Sequence, residues 1–172
     1  ALRYVAKGTT VAAPDGITRE GYHLLGWYVG ETAYDFSATV EDPLTLTAKW
    51  EINRYRVTFD PAGGDARDPQ TVEHGRTATK PEDPTRAYYR FGGWLLNGEA
   101  YDFSTPVTES ITLRANWIVI NYRVVFDSNG GTTVPDVLNN AGKPVEKPAN
   151  PTKTGFRFGG WLTEEGTLWD FA

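Results

Sequence analysis

Cysteine and methionine are both absent from this chain of 172 residues. Without cysteine there is no disulfide, no thiol nucleophile and no thiolate ligand for a metal. Long apolar runs are missing too, because the longest, Trp117–Ile120, is far too short to cross a bilayer. A basic surplus is also lacking: 17 basic and 22 acidic side chains give a net charge of −5. These absences argue against thiol chemistry, membrane insertion and nucleic-acid binding.

Glycine, proline and aromatic residues are plentiful by contrast. The chain has 18 Gly and 11 Pro, and 13% of its residues are aromatic. At 40% hydrophobic and 23% charged residues, the composition is that of a folded, turn-rich protein. The chain opens with Ala-Leu-Arg and has no initiator Met or signal-peptide pattern, which predicts a segment cut from something longer.

A repeat governs the whole chain. Trp27, Trp94 and Trp161 follow one another at intervals of 67 residues, and Trp50 and Trp117 keep the same interval. A second motif recurs in the same register, although the third copy carries one extra residue near Glu165-Gly166. Its copies are Tyr34-Asp-Phe-Ser37, Tyr101-Asp-Phe-Ser104 and Trp169-Asp-Phe-Ala172. So many matches in one register indicate tandem repeats.

The repeat divides the chain into three units. We predict repeat 1 over residues 1–50, a complete repeat 2 over 51–117 and repeat 3 over 118–172. Repeat 1 lacks counterparts of the segment 55–67, and repeat 3 lacks counterparts of 105–117. The first strand is therefore expected to be missing from repeat 1 and the last strand from repeat 3.

Each unit is predicted to be rich in β-strands. Apolar and polar residues alternate over Tyr55–Phe59 and Ile111–Trp117, which is the period of half-buried strands. Further strands are expected over Gln70–His74 and Arg90–Leu96, and a twin of the last strand over Leu44–Trp50. The Gly-Gly pairs after Asp60 and Asp127 predict turns, and a short helical turn is expected after Ser104.

Consecutive units are expected to sit end to end. Only four residues separate Trp50 from Tyr55, and the same number separate Trp117 from Tyr122, which is too few for independent tumbling. Because a compact unit of this length measures roughly 25–30 Å, three of them would form a rod about 80 Å long.

These motifs resemble those of the Listeria–Bacteroides repeat, also called the internalin B-repeat family. The resemblance covers essentially the whole chain. It rests on three stretches: Tyr122-Arg-Val-Val-Phe-Asp-Ser-Asn-Gly-Gly131; Lys147-Pro-Ala-Asn-Pro-Thr152 with Gly155-Phe-Arg-Phe-Gly-Gly-Trp161; and Tyr101-Asp-Phe-Ser-Thr-Pro-Val-Thr-Glu-Ser-Ile-Thr-Leu-Arg-Ala-Asn-Trp117. Three positions depart from the family pattern and affect local turns: Tyr88 replaces a Gly, Ile17 a Pro and Ala62 an Asn.

The resemblance implies a fold, a location and a role. It implies an α+β, β-rich architecture made of tandem β-grasp (ubiquitin-like) units. It also implies a home in secreted or cell-wall-attached bacterial surface proteins, outside the cell, where such repeats serve as stalks or adhesive modules. The family supplies no catalytic motif to transfer to this chain.

The search for metal and nucleophile motifs returns weak signals. His23 and His74 occupy different repeat positions and lack further ligands at metal-binding spacing. The run that begins at Asp127 resembles the start of a calcium loop, but Leu138 occupies the twelfth position, so a hairpin turn is favoured. Lys153-Thr154-Gly155 matches a fragment of penicillin-binding enzymes, but the chain has no Ser-x-x-Lys, so the match is interpreted as coincidence.

Paired carboxylates are the remaining route to catalysis, as in glycosidases. The recurrent candidates are Asp35, Asp102 and Asp170, each between two aromatic residues. An Asp at this position more plausibly accepts backbone N–H bonds in a turn, and threefold repetition favours a structural role over a single active site. We therefore predict no catalytic residue, no metal ligand and no cofactor-binding residue.

Binding remains open as a function. Tyr28 and Tyr88 are weak candidates, because exposed aromatic residues are common on recognition surfaces and these two positions vary between repeats. The preferred prediction is a non-catalytic stalk or spacer that displays other domains, and the alternative is an adhesive module for a host protein or glycan. The incomplete end repeats additionally predict head-to-tail self-association through open strand positions.

Overall fold

The computed structural model describes residues 3–171 as a chain of short β-strands. The ten strands are β1 (Tyr22–Val29), β2 (Thr32–Ala33), β3 (Thr47–Ile52), β4 (Arg54–Asp60), β5 (Gln70–Glu73), β6 (Tyr89–Leu96), β7 (Glu99–Ala100), β8 (Ile111–Val119), β9 (Asn121–Val124) and β10 (Val137–Asn140).

The strands form three sheets that follow one another along the chain. The first sheet has the order β2-β1-β3, the second β5-β4-β8-β6-β7 and the third β10-β9. In the second sheet β4 and β8 pair in parallel at the centre, and the other neighbours are antiparallel. The middle unit therefore places its first and last long strands side by side.

Local sequence explains the strands of the middle unit. Val57 and Phe59 are buried on β4, and Thr58 between them is more exposed, as the alternating pattern predicts. The four strands predicted for this unit are confirmed as β4, β5, β6 and β8, with ends that differ from the prediction by no more than two residues.

The buried core lies in the middle unit. Val57 and Leu113 are fully buried on the two parallel central strands, and Trp94 on the neighbouring β6 is 3% exposed. The ring of Trp94 meets Phe59 and Phe91 edge to face, with centroids 5.0 and 5.4 Å apart. Such geometry adds to the area that each ring removes from water. The equivalent Trp27 and Trp161 are only half-buried.

The expected α component is wrong for the described part of the chain, which contains no helix over residues 3–171. The segment after Ser104 forms a turn instead, closed by the bond from Thr105 N–H to the Asp102 carbonyl (3.0 Å). Extended backbone follows, and Val107 is bonded in both directions to the segment at Arg76. Because these bonds occupy the backbone groups of Val107, the segment cannot continue as a helix. No helix within this range is long and apolar enough to span a membrane.

The outer units keep complementary parts of the five-stranded sheet. Counting by the repeat, β1, β2 and β3 correspond to β6, β7 and β8, whereas β9 and β10 correspond to β4 and β5. Two strands of the outer units are shorter than their counterparts in the middle unit: β3, predicted over Leu44–Trp50, begins only at Thr47, and β9 ends at Val124, whereas β4 continues to Asp60. In the middle unit the corresponding segments of β4 and β8 pair with each other in parallel.

A β-bulge explains the Gly-Gly pair that precedes Trp94 in the middle repeat. Phe91 pairs with Trp117 and Trp94 with Ala115, so two residues of β6 oppose one of β8. Gly93 has φ +112 in this bulge, a conformation that disfavours a side chain. The bulge sets the facing of Trp94, which points into the core.

The hairpin after each tryptophan shows how the extra residue of the third repeat is accommodated. Asn97 and Gly98 both have positive φ between β6 and β7, as a two-residue type I′ turn requires. In the third repeat Leu162 and Leu168 form an isolated antiparallel bridge, and Thr163 N–H bonds the Thr167 carbonyl at 2.8 Å. Three residues then form the loop, which contains the insertion.

Candidate functional site

The repeated aspartates hold turns. The Asp35 carboxylate accepts bonds from the backbone N–H (2.8 Å) and hydroxyl (2.7 Å) of Ser37, and these bonds lower its pKa. The Asp102 carboxylate accepts the same two bonds from Ser104, and its pKa is lowered for the same reason. A carboxylate used in this way is kept ionised, which suits a turn and opposes a general acid.

The Gly-Gly turns are likewise closed by their own carboxylates. The Asp127 carboxylate accepts the N–H of Asn129 at 2.8 Å, and Asp60 accepts that of Ala62 at 2.9 Å. Over residues 3–171 no three His, Asp or Glu side chains come together in a way that could hold a metal ion. The hairpin interpretation of the Asp127 segment therefore matches the observed bonding.

Lys153 belongs to a structural position that recurs in all three repeats. Its ammonium lies 4.8 Å from the Phe156 ring centroid and bonds the Asn129 carbonyl at 2.8 Å. Arg86 does the same in the middle unit, 4.0 Å from the Tyr89 ring and 3.1 Å from the Ala62 carbonyl. A cation here joins a turn to an aromatic ring, so Lys153 has a structural role in its Lys-Thr-Gly run.

Both histidines lie where the first unit meets the second. The Nδ1–H of His23 donates to the side-chain oxygen of Asn53 (3.0 Å), and its Nε2 lies 3.3 Å from the Glu51 carboxylate. His74 lies 3.4 Å from the Tyr55 hydroxyl, which itself is 3.5 Å from the Asn53 amide. Asn53 of the linker thus contacts His23 directly and is connected to His74 through the Tyr55 hydroxyl of β4.

The linker backbone is hydrogen-bonded to both units at this junction. Asn53 N–H bonds the Gly21 carbonyl of the first unit at 2.8 Å, and its carbonyl accepts the His74 N–H of the second unit at 2.8 Å. Arg54 adds ion pairs to Glu51 (3.5 Å) and Glu73 (3.0 Å), one on each side. These bonds make the linker part of the sheet structure.

The second junction repeats this backbone pattern with different side chains. Ile120 N–H bonds the Tyr88 carbonyl at 3.0 Å, and its carbonyl accepts the Ala141 N–H at 2.8 Å. Ile120 replaces the polar Asn53, and Ala141 replaces His74. The second junction is therefore joined by the same main-chain bonds but lacks the histidine network.

At both junctions a large side chain packs against a glycine of the neighbouring unit, but the later unit supplies the large side chain at the first junction and the earlier unit supplies it at the second. At the first, a Cβ on Gly21 would lie 2.3 Å from the His74 ring, so the ring occupies the space that a side chain would need. At the second, the large residue is Tyr88, whose ring lies against Gly142 beside the small Ala141. The size of one residue thus compensates for that of its neighbour across the junction.

The sequence-predicted binding candidates occupy separate places. Tyr28 lies half-buried on β1 with the Lys49 ammonium 4.8 Å from its ring centroid. Tyr88 is 57% exposed at the second junction and has φ +69, a conformation that favours glycine. The structure does not bring the two tyrosines into one surface, and a binding role for either stays a prediction.

The compensating contact was not predicted from the sequence, although the sequence contains a signal for it. Positions 21, 88 and 155 read Gly, Tyr and Gly, whereas positions 74 and 141 read His and Ala. A small residue at position 21 goes with a large one at position 74, and a large residue at position 88 goes with a small one at position 141. This inverse relation in side-chain size indicates a contact between neighbouring units.

An open groove marks the third unit. It has a volume of about 1170 Å³ and runs between residues 124–131 and 151–165. Phe126, Phe158 and Trp161 line it, and the Phe126 and Trp161 ring centroids are 5.0 Å apart. In the middle unit the equivalent space is filled by β8 and its buried Leu113.

Comparisons with known proteins bear on the whole chain. The model of the Listeria-Bacteroides repeat domain matches residues 2–49, 55–116 and 122–172. A protein of Evansella cellulosilytica named "Putative membrane protein" is 37% identical over 94% of this chain and 26% of its own length. Internalin H of Listeria monocytogenes is 34% identical over 82% of this chain and 25% of its own length.

The chain spans about a quarter of the length of these two relatives. No solved structure matches it at a significant level. The family model matches three successive segments in the register of the tryptophan repeat. This chain therefore belongs to the Listeria-Bacteroides repeat domain family and contains three successive copies of its repeat.

Proposed function

We propose that this chain is a non-catalytic spacer segment of a secreted or cell-wall-attached bacterial surface protein. In this role the repeats hold other domains away from the cell surface. The observation that carries the proposal is the bonding of both linkers, Asn53 and Ile120, to the unit before and the unit after. A spacer needs such junctions because a flexible linker would let the displayed domain fold back.

The strand order supports β-grasp units arranged end to end. The order β5-β4-β8-β6-β7, with parallel first and last strands at its centre, is the arrangement expected of a β-grasp sheet without its usual helix. We place the repeats at 1–50, 51–117 and 118–172. The relatives named as a membrane protein and as an internalin support a location at the cell surface.

Small-angle X-ray scattering tests the spacer. We expect the monomeric chain to show the distance distribution of an elongated particle, with a maximum dimension of about 80 Å for three compact units. A distribution typical of one compact globule would contradict the proposal. A chain with two Gly-Ser linkers in place of residues 51–54 and 118–121 is the control, and it should give a broad, flexible profile.

The alternative function is an adhesive module that binds a host protein or a glycan. The exposed Tyr88 favours it, because its ring lies at a junction beside Gly142 and keeps 57% of its surface accessible. Binding of the purified chain to glycan and matrix-protein arrays tests this function. Binding that is lost on Tyr88→Ala and kept on Tyr28→Ala would favour adhesion at this junction, and no binding at micromolar concentration would contradict adhesion.

A further inference from the structure

The chain enters and leaves the middle unit at opposite edges of its sheet. It enters through Asn53 and continues directly into β4, and it leaves from β8 through Ile120. Because β4 and β8 pair in parallel, the start of β4 lies at the same edge of the sheet as the start of β8. The exit, which follows the end of β8, therefore lies at the other edge. Tension along the chain pulls these two strands in opposite directions along their own axes.

The pairing of β4 with β8 resists such sliding as a whole. Four consecutive positions are in register, from Val57 opposite Ile111 to Asp60 opposite Arg114. The hydrogen bonds of a parallel pair are evenly spaced along the strands. Sliding one strand past the other strains all of these bonds together, whereas separating the strands from one end breaks them one after another. Rupture by sliding therefore has to pass a higher barrier than rupture by separation.

Side chains join the two strands beyond both ends of the paired stretch. Before it, the Ser110 hydroxyl accepts the backbone N–H of Arg56 at 3.1 Å. After it, the indole N–H of Trp117 donates to the Pro61 carbonyl at 2.9 Å. Both bonds connect β4, or the residue that follows it, with β8 or the residue that precedes it. They therefore oppose the same sliding motion as the backbone bonds.

The paired stretch is also shielded from water. Both strands are interior strands of the sheet, with β5 beside β4 and β6 beside β8. One face of the pair carries Val57, Phe59 and Leu113, which are each at most 3% exposed. Water that reaches a strained backbone bond can replace it with a bond to solvent. Exclusion of water therefore slows the rupture of the pair.

We propose that the middle unit withstands tension through the parallel pair β4–β8, so that the chain is a tension-bearing connector as well as a spacer. The proposal rests on the spacer function for the source of the tension, because any pull on a displayed domain is transmitted through the repeats. All five strands of this sheet lie within residues 54–119, and a linker leads to another unit on each side.

Two pairs of attachment points on the whole chain compare the two directions of pulling. Because the chain contains no cysteine, two introduced cysteines are unique attachment points. Glu51→Cys with Asn121→Cys slides the strands, because these positions precede β4 and follow β8. Glu51→Cys with Glu109→Cys separates the strands from one end, because these positions precede β4 and β8. All three positions are exposed, and Glu51 belongs to both pairs, so the loss of its ion pairs affects both measurements equally.

Matched substitutions separate resistance to sliding from overall stability. Forced unfolding is governed by the rate of unfolding and not by its equilibrium free energy. Trp117→Phe keeps an aromatic ring but removes the bond beyond the end of β4, and Ser110→Ala removes the bond before β8. Ser104→Ala is the control, since its hydroxyl bonds Asp102 within one turn and joins neither strand. Circular dichroism checks the folding of each variant, and Ser110→Ala decides alone if Trp117→Phe does not fold.

Single-molecule force spectroscopy measures the unfolding force in both directions. We expect the chain held at positions 51 and 121 to unfold at several times the force needed at positions 51 and 109. The segment released between positions 51 and 121 should measure at most about 250 Å when extended. Trp117→Phe and Ser110→Ala should each lower the force for sliding, and the control should leave it unchanged.

Equal forces in the two directions would overturn the proposal. A sliding force that neither substitution lowers, or that the control lowers as much, would overturn it too. The spacer function is decided separately by the scattering profile of the chain. An elongated chain with equal forces in both directions would contradict only the resistance to tension, whereas a compact chain with a high sliding force would contradict only the spacer.

Discussion

At the scale of single residues, Ala62 carries avoidable strain. It has φ +47 in the Gly-Gly turn, a left-handed conformation that costs most side chains about 1 kcal/mol. The third repeat places Asn129 at the same position with φ +46, and asparagine tolerates this conformation better. We predict that Ala62→Asn raises the free energy of unfolding by about 0.5–1 kcal/mol, as measured by urea denaturation. The exposed neighbouring Ala66 has no positive φ, so an equal gain from Ala66→Asn would contradict the explanation.

Gly64 shows why the second glycine of that turn is needed. A Cβ there would lie 2.4 Å from the Trp117 ring and 2.9 Å from the Thr85 carbonyl. The ring cannot easily move, because its indole N–H donates to the Pro61 carbonyl at 2.9 Å. We predict that Gly64→Ala lowers the free energy of unfolding by about 2–3 kcal/mol. At Gly159 an added Cβ meets nothing within 4 Å, so Gly159→Ala is the control and should cost much less.

At the scale of elements, Asp65 fastens the loop after β4 to the proline-rich connector. Its carboxylate accepts the Thr85 N–H and pairs with Arg67 at 2.6 Å. Arg67 also donates to the Glu82 and Asp83 carbonyls, at 2.9 Å each. The Thr85 bond, followed by that of Arg67, lowers the pKa of Asp65 from 3.8 to about 2.

This shift predicts a pH dependence of stability. Because the folded form binds the proton of Asp65 more weakly than the unfolded form, its contribution is complete above about pH 4 and is lost as the pH falls toward 2. We expect Asp65→Asn to lower stability at neutral pH and to flatten the change in thermal midpoint between these pH values. A smaller slope should remain from Asp35 and Asp102, whose pKa values are also lowered. An unchanged slope in the variant would contradict this role.

The elements of the middle unit were predictable because local pattern and tertiary partner agree there. Alternation over β4 and β8 predicts strands, and each strand finds the other as a neighbour. The same pattern over Leu44–Leu46 predicts a strand, but β3 begins only at Thr47, and no strand among the described residues 3–21 lies beside this segment. Strand prediction from sequence therefore failed where pairing across the sheet, and not alternation, decides the structure.

The candidate site was less predictable than the fold. His23 and His74 have no shared motif, and only the structure places both at one junction. Tyr88 stood out because its repeat position varies, but variation alone does not distinguish a ligand-binding surface from a contact between units. Here the contact partner, Gly142, lies 54 residues away in sequence. Such long-range contacts leave no local periodicity from which they can be inferred.

At the scale of the whole molecule, the stiffness that the proposed spacer needs depends on the two junctions. The main-chain bonds of Asn53 and Ile120 are the same in both, so they do not depend on which side chains occupy the contact. The side chains differ: His74 fills the space at Gly21, and Tyr88 fills the space at Gly142. Each junction therefore has to keep one large and one small residue, whichever unit supplies them.

Exchanging the side chains of the first junction tests this rule. Gly21→Tyr alone should crowd the His74 ring, since a Cβ there would lie 2.3 Å away, and should lower the free energy of unfolding by about 1–3 kcal/mol. Adding His74→Ala copies the second junction, where Tyr88 adopts φ +69 beside Ala141, and should recover most of the loss. A double-mutant cycle by chemical denaturation gives the coupling energy, which we expect to be about 0.5–3 kcal/mol. Additive effects of the two substitutions would show that the size match is not what joins the units. Small-angle scattering of the single variant should show a more flexible particle, and the double variant should regain the original profile.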